Sequence, residues 1–560
     1  MAAVLSAPVA LEQAVERASF HDRIGTFPVE VSLTRNGVST LDTGILGKVY
    51  WDRTGAGGFG ASVVSTGPPL ADGTLASYVS ADFLRRNSQF IDDPGALAGA
   101  YGAELRRQVV GAWLRYELIG GLAGGLLLLV VFRGTAPPVP RRVVRRRHRT
   151  AVRAGYLLAG TLVSGLAAFV LYDQWPGSDP PGPSYVMPEL PELSFSSRQT
   201  LEVARQVRPF VEKNASRIEA RTQDYVDAAS AAIDRELPRH ADALRARGEE
   251  RVVIAEADPQ GSFVATRVRR QLYRELEELL GEDTIALRTI SGDITSNGTV
   301  AERDFVRQEA GAAPGIPTVA VKGDHDTDAT VAQMRDHDLA VPDMEVLDVG
   351  GLKVAGAADP TFKALFGGLV ENPSGVSEEE VGRELRARVD PEEAVVVLLH
   401  QPRAALGYLG IDTIARLAAA RGHETAPYDD GIPDLPPGIV NIGHLHDPGG
   451  PWVVWNTDGD QVTWTVVNQL GTSGGVEETP TFNRFSTPFS VPLKAVTVQL
   501  QYVEEESGLQ TGYASVAIAP DGSVTVTDRV DLGLAAPAAS EGARSTPSAR
   551  SSRARGDAGW

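Results

Sequence analysis

Val319–Asp328 reads VAVKGDHDTD. An apolar run ends in Gly-Asp-His-Asp, so a buried strand is expected to stop here and open into a polar loop. The same change of texture recurs on both sides. Upstream, TIALRTI leads into Ser291-Gly292-Asp293-Ile294-Thr295; downstream, AVVVLL ends in His400 and GIVNI in Gly443-His444-Leu445-His446. Each run places an Asp or His just beyond a strand, the edge at which open α/β sheets bind ligands. Helical patterns alternate with these runs: FVATRVRRQLYRELEELL before Gly281, SEEEVGRELRARV with its capping-box pair Ser377 and Glu380, and DTIARLAAARG. The alternation predicts an α/β domain with helices covering a central sheet.

Past Pro451 the texture turns to β. WVVWNT and DQVTWTVV flank Asp458-Gly459 as a hairpin, and AVTVQLQYV and YASVAIAPDGSVTVTDRV add further strands. The domain is expected to span 251–535, with 536–560 a disordered tail rich in Ala, Ser, Arg and Gly.

Ahead of this domain, residues 1–95 predict a short amphipathic helix and a small β-rich domain, with FPVEVSL alternating and ILGKVYW strand-rich. The first 20 residues lack the basic start and apolar core of a signal peptide. Residues 96–175 carry two apolar segments, YELIGGLAGGLLLLVVF at 116–132 and AGYLLAGTLVSGLAAFVLY at 154–172. Each approaches the roughly 20 residues that cross a bilayer core. Between them Arg141, Arg142, Arg145, Arg146, Arg147 and Arg149 crowd one short loop, the pattern of a cytoplasmic hairpin loop. The expectation is therefore a two-helix transmembrane hairpin with the lipid bilayer as a partner, in a multi-pass protein of the cell membrane. Its C-terminal domain would be extracytoplasmic. Residues 176–250 read as a Pro-rich linker and a helical stalk, which Pro209 and Pro238 are expected to divide into two or three helices.

Composition narrows the function classes. A net charge of −19 and a pI near 5.0 argue against a nucleic-acid partner, which needs a basic face. The chain has no cysteine, which excludes disulfides, thiolate metal sites and cysteine nucleophiles. A single Gly-Asp or a lone His means little, because turn Asp and core His are common. The ordered set Gly-Asp, Gly-Asp-His-Asp, His, Gly-His-Leu-His is far more specific.

That set resembles the calcineurin-like metallophosphoesterase family, over roughly residues 250–475. Gly471-Thr472-Ser473-Gly474 is similar to the family's Gly-Ser-x-Gly. The resemblance implies a two-sheet α/β sandwich and two divalent cations, from among Mn, Fe, Zn and Mg. It implies hydrolysis of a phosphate-ester substrate by a hydroxide that the metal pair activates. By the same resemblance, Asp293 would bridge the cations, and His400 and His444 would hold one of them with Asp324. His446 would hold the other together with the first motif. His325 would sit near the leaving oxygen as general acid or as a transition-state donor, with Asp326 orienting it and supporting its charge.

Two positions depart from the family pattern. Asp324 stands where Asn is usual. The first motif, Asp-x-His, is replaced by AEADPQGS. In one alignment Glu256 and Asp258 take its two places; shifted by two, Asp258 and Gln260 do. Glu256 and Asp258 are the preferred pair on ligand chemistry, and the altered half-site is expected to be weak or empty. The alternative to an active enzyme is a pseudoenzyme, a cell-surface binding or scaffold protein that keeps the fold.

Overall fold

The structure is a computed structural model. It describes residues 94–131 and, with interruptions, 2–66 and 184–532; the larger gaps in the last stretch are 364–369, 420–431, 457–462 and 477–491.

Two seven-stranded sheets build the C-terminal domain. In the first, Thr318–Ala320, Ile285–Ile290 and Glu250–Glu256 run parallel. The antiparallel strands Val496–Glu504, Gln510–Ile518 and Val524–Val526 extend it. In the second, Leu352–Gly356, Val395–Leu399, Gly438–Ile442 and Thr463–Gln469 are parallel neighbours. Val253, Leu287, Val319 and Val503 of the first sheet pack with Val354, Val396, Leu398 and Ile439 of the second in one core cluster. The parallel strands are apolar on both faces because both are covered. The outer face of the first sheet is covered by Arg198–Glu236 and Phe263–Leu280, through Ala229, Ile233, Val268 and Leu272. That of the second is covered by Glu378–Arg386 and Pro402–Leu409, through Val381, Leu385, Ala405 and Tyr408. The mixed α/β layering expected from the alternating pattern is present.

Local signals hold where the side chains act locally. Ser377 and Glu380 form the reciprocal capping box. Gly281 caps the helix Phe263–Leu280 with φ +90°. Gly449–Asn456 pairs antiparallel with Thr463–Gln469, as the hairpin pattern requires. The helix expected over DTIARLAAARG does not form at Ala418–Ala419, which adds a two-residue strand to the sheet edge at Trp452 and Val453. Pro402–Leu409 occupies the crossover between the flanking parallel strands instead.

The N-terminal region departs from its expected boundaries. Its sheet also has seven strands, and two of them, Tyr185–Met187 and Leu190–Phe195, come from the stretch read as a linker. Leu193, Ser194 and Phe195 pair with Trp51, Tyr50 and Val49. Arg198–Glu236 is one 39-residue helix that runs on through Pro209, so the division into several helices is corrected; Pro238 lies in the 3-10 turn Leu237–His240 that follows it.

The multi-pass membrane assignment is overturned. Among the described residues, no helix is long and apolar enough to cross a membrane. The first expected span is the end of a 38-residue helix, Pro94–Val131, whose earlier turns pack on Ala2–Arg17 and on the N-terminal sheet. Arg17 donates to the Tyr116 hydroxyl at 2.7 Å, and Glu117 is buried. The apolar run left after Glu117 is shorter than the roughly 20 residues a bilayer core needs. The extracytoplasmic placement was drawn from that assignment and is corrected with it. The second expected span, the Arg-rich loop and the tail 536–560 lie outside the described residues.

Candidate metal centre

The parallel strands end together, and their end loops bring the expected residues to one edge. Asp258 follows Glu250–Glu256, Asp293 follows Ile285–Ile290, and Asp324 and His325 follow Thr318–Ala320. His400 follows Val395–Leu399; His444 and His446 follow Gly438–Ile442. Three groups of potential ligand atoms, each within 4.8 Å of one another, result: Asp324, His400 and His444; Asp258, Asp293 and His446; Asp293, Asp324 and His325. Asp293 and Asp324 each belong to two of them. Asp258, Asp293, Asp324, His325, His400 and His446 are all buried, and His444 is partly exposed.

The backbone at this edge is strained in a concentrated way. Among the described residues, eight non-glycine residues have positive φ, and five are here: Asp258 at 54°, Gln260 at 42°, Asp293 at 54°, His444 at 71° and His446 at 60°. Such conformations cost on the order of 1–3 kcal/mol each and persist only where surroundings fix them. The fixing bonds are visible. His444 N–H donates to the Asp258 carboxylate at 3.0 Å, and Gln260 N–H to the Asp293 carbonyl at 2.9 Å. From the Gly-Thr-Ser-Gly segment, Ser473 N–H donates to the Ala257 carbonyl at 2.7 Å and Gly474 N–H to that of Asp258 at 3.0 Å.

Glycines permit the approach of the loops. A Cβ on Gly323 would lie 2.2 Å from Asp293 Oδ1 and 2.3 Å from its backbone nitrogen; one on Gly292, at φ +92°, would lie 2.5 Å from His400 Nδ1. The Gly323 contact is with backbone and cannot be relieved by a rotamer change. Gly323→Ala is expected to lower divalent-cation affinity by more than about tenfold and to depress the melting temperature, checked by calorimetric titration and thermal denaturation.

No protein-family model matches the chain, and no curated protein matches it. The site is therefore read from its own geometry.

The donor set fits a cation. His400 Nδ1 donates to the Ser291 carbonyl at 2.9 Å, which directs Nε2 at Asp324 Oδ1, 3.1 Å away, and at Asp293 Oδ1, 3.3 Å away. A lone pair facing two carboxylate oxygens is repulsive unless a proton or a metal ion lies between them. These separations match two ligands each about 2.1 Å from a shared metal. Farther out, His444 Nδ1 lies 3.6 Å from Asp324 Oδ1, and His446 Nε2 3.5 Å from Asp258 Oδ1. Without a metal, protons must fill the role. Burial alone would lower His400, but Asp293 and Asp324 hold it well above the usual imidazole range; Asp324 likewise raises His444. Burial would raise Asp293 and Asp324, and the imidazoles hold both below the usual carboxylate range. These clusters could hold a metal ion.

Two expected roles change. Glu256 is not at the cluster: Arg269 Nη1 donates to its Oε2 at 2.5 Å and Arg288 Nε to its Oε1 at 2.7 Å, deep under the sheet. The strand ends at Glu256, so Asp258 and Gln260 occupy the loop, and the alignment shifted by two describes the structure. Asp326 does not orient the His325 ring. Its carboxylate accepts from Ile294 N, Thr295 N, Thr295 Oγ1 and Gly323 N, tying the Gly-Asp loop to the Gly-Asp-His-Asp loop. Burial, and then Asp293, push that carboxyl up to about 6. The His325 ring nitrogens have no hydrogen-bond partner among the described residues; Nε2 lies 3.8 Å from Asp293 Oδ2.

Asp359 is the buried acid that sequence reasoning missed. It follows Leu352–Gly356 as the other acids follow their strands, so the strand-end rule would have found it. Its Oδ1 accepts from Thr361 N and Oγ1 at 2.8 and 2.7 Å, while Oδ2 has no partner among the described residues. Burial raises its pKa, and it feels the charges of both His400 and Asp324.

Proposed function

We propose that the C-terminal domain is a metal-dependent phosphoesterase, a two-sheet sandwich of metallophosphoesterase type holding two divalent cations. The observation that carries this reading is His400 Nε2 aimed between the Asp293 and Asp324 carboxylates, which calls for a cation there. His400, His444 and Asp324 would hold one cation; Asp258 and His446 the other; Asp293 would touch both. Bound there, the pair supplies Lewis acidity and lowers the pKa of water.

The chain's own residues do the rest. Asp326 clamps the two loops and so fixes Asp293 and Asp324 at one separation. His325 N–H donates to Asp293 Oδ1 at 2.8 Å, which sets the imidazole beside the bridging carboxylate. Its unpartnered ring is suited to give a proton to a leaving oxygen. Burial of the acids and of His325 excludes water and strengthens each electrostatic contact.

A second reading, a metal-binding protein without hydrolysis, draws on Gln260, which takes the place of an imidazole in the first motif. The two separate in one experiment. Full-length protein with Mn²⁺ is expected to hydrolyse p-nitrophenyl phosphate or bis(p-nitrophenyl) phosphate, to stop with EDTA, and to recover on Mn²⁺ addition. No turnover with Mn²⁺, Mg²⁺, Zn²⁺ or Fe²⁺, in protein whose circular dichroism reports a folded chain, would leave the second reading.

A further inference from the structure

Val300 is an aliphatic residue in a polar loop of the C-terminal domain, yet it is only 8% exposed. It lies in one apolar cluster with Val29, Val31, Ala61, Val63, Tyr101 and Leu105 of the N-terminal module. Those residues come from the strands Phe27–Thr34 and Gly60–Ser65 and from the helix Pro94–Val131. Ala329 packs against the same cluster. Val300 and Ala329 belong to the two loops that carry the candidate ligands. Val300 lies on the loop that Asp293 opens, and Ala329 in the first turn of the helix Asp328–Asp336, just after Asp324 and His325.

Short hydrogen bonds tie both residues to the site. Val300 opens the turn Val300–Glu302, in which the Glu302 carboxylate accepts from Thr299 N–H at 3.0 Å and from Ser296 N–H at 2.7 Å. Ser296 Oγ donates to the Gln260 carbonyl at 2.7 Å, and Gln260 N–H to the Asp293 carbonyl at 2.9 Å. From the opposite loop, Thr327 Oγ1 donates to the Gly298 carbonyl at 2.5 Å and Gln333 Nε2 to the Val300 carbonyl at 3.3 Å. Gly298, at φ +64°, permits this approach, since a Cβ there would lie 2.4 Å from Thr327 Cγ2. Asp326 joins the two loops from the inside. The N-terminal cluster covers both from the outside, and keeping its apolar surface from water favours the arrangement in which the loops lie together.

We infer that Val300 and Ala329 are positioning residues through which the N-terminal module frames the metal site. Its apolar seat holds the Asp293 loop against the Asp324 loop, so seating of the module and cation binding are coupled. This rests on the two-cation reading of the site and adds what holds it together. The coupling is reciprocal: whatever the seat adds to cation affinity, the cations add to the seating of the module.

The test uses the full-length chain with Mn²⁺ as the ligand and no turnover assay. Val300→Asp puts a carboxylate into the apolar seat. It is expected to weaken Mn²⁺ binding, read by calorimetry, by more than about tenfold, the scale of losing a group that orients a metal ligand. Val300→Ile keeps an apolar side chain and should bind as wild type does. The second readout lies far from the ligands. The chain has no cysteine, so a thiol reagent on Ala61→Cys, a position buried in the same cluster, reports opening of the seat. Mn²⁺ should slow that labelling by the factor that the seat adds to Mn²⁺ affinity, and the protection should vanish when Val300→Asp is added. If circular dichroism shows that Val300→Asp does not fold, Val300→Ser carries the same comparison. Wild-type Mn²⁺ affinity in the folded variant, or labelling of Ala61→Cys that ignores Mn²⁺, would overturn the inference and leave the phosphoesterase reading standing. No Mn²⁺ uptake by wild type overturns both.

Discussion

Asp293→Ala is expected to cost both cations, and with them more than about 100-fold in aryl phosphate hydrolysis. The scale follows from the carboxylate's position. Losing a partner that merely orients a metal ligand costs about 10–100-fold in affinity or activity, and in the proposed two-cation site Asp293 would ligate both ions. Its Oδ1 also lies 3.3 Å from His400 Nε2 and accepts from His325 N–H, and its Oδ2 receives Gln260 Nε2. Its removal therefore releases three loops at once. His444→Ala should act differently. It touches only the Asp324 and His400 group, so one cation equivalent should survive. Elemental analysis of the two variants beside wild type checks the contrast. Equal metal content in Asp293→Ala and His444→Ala would show that Asp293 does not bridge.

Arg288→Met is expected to destabilise the folded protein by about 3–5 kcal/mol at neutral pH, the scale of breaking a buried ion pair from one side. Glu256, Arg269, Arg288 and Glu309 are all fully buried. Arg269 donates to Glu309 Oε1 and Oε2 at 2.7 and 2.9 Å, Arg288 donates to Glu309 and to Glu256, and Tyr273 donates to Glu256. Two acids and two bases cancel, which is why the group can sit beneath the sheet. Burial alone would raise Glu309, but Arg269 and Arg288 pull it down to about 2 from an ordinary 4.5. A depressed carboxylate stabilises the fold above its unfolded pKa and loses that contribution as pH falls through its folded pKa. In wild type the loss runs from about pH 4.5 down to about 2. In Arg288→Met, Glu309 takes up its proton at higher pH. The gap between variant and wild type should therefore narrow as pH falls from 7 to 4, measured by urea unfolding at each pH. A gap that stays constant would show that the lost packing of the Arg288 side chain, and not its charge, sets the cost.

Glu256 and Asp258 show how far sequence reasoning reaches. Both are acids near the end of one strand, and composition cannot say which leaves the sheet first. Register decides it. Glu256 still pairs with Ile290, and its side chain goes to the arginines on the helix-covered face. Asp258, two residues on, has left the ladder and turned to positive φ. Asp326 is a similar case. Its neighbour His325 made an orienting role plausible, but a carboxylate with four donors around it has no lone pair to spare for a ring. The strand Leu190–Phe195 was misread because its partner, Lys48–Trp51, is remote in sequence, and pairing over such distances leaves no local trace.

The sequence by itself determined that Asp293, Asp324, His325, His400, His444 and His446 follow buried strands, because an apolar run that stops at a Gly-Asp or a His carries its own boundary. It also determined the capping box, the helix end at Gly281 and the hairpin, which depend on neighbours a few residues apart. Only the tertiary structure decided that Gln260 and not Glu256 joins the site, and that Asp359 lies buried near it. It also decided that the helix through Tyr116 packs against protein in its earlier turns. Those outcomes depend on which face a side chain takes and what lies opposite, and both are fixed by strand register and by packing between segments far apart in the chain.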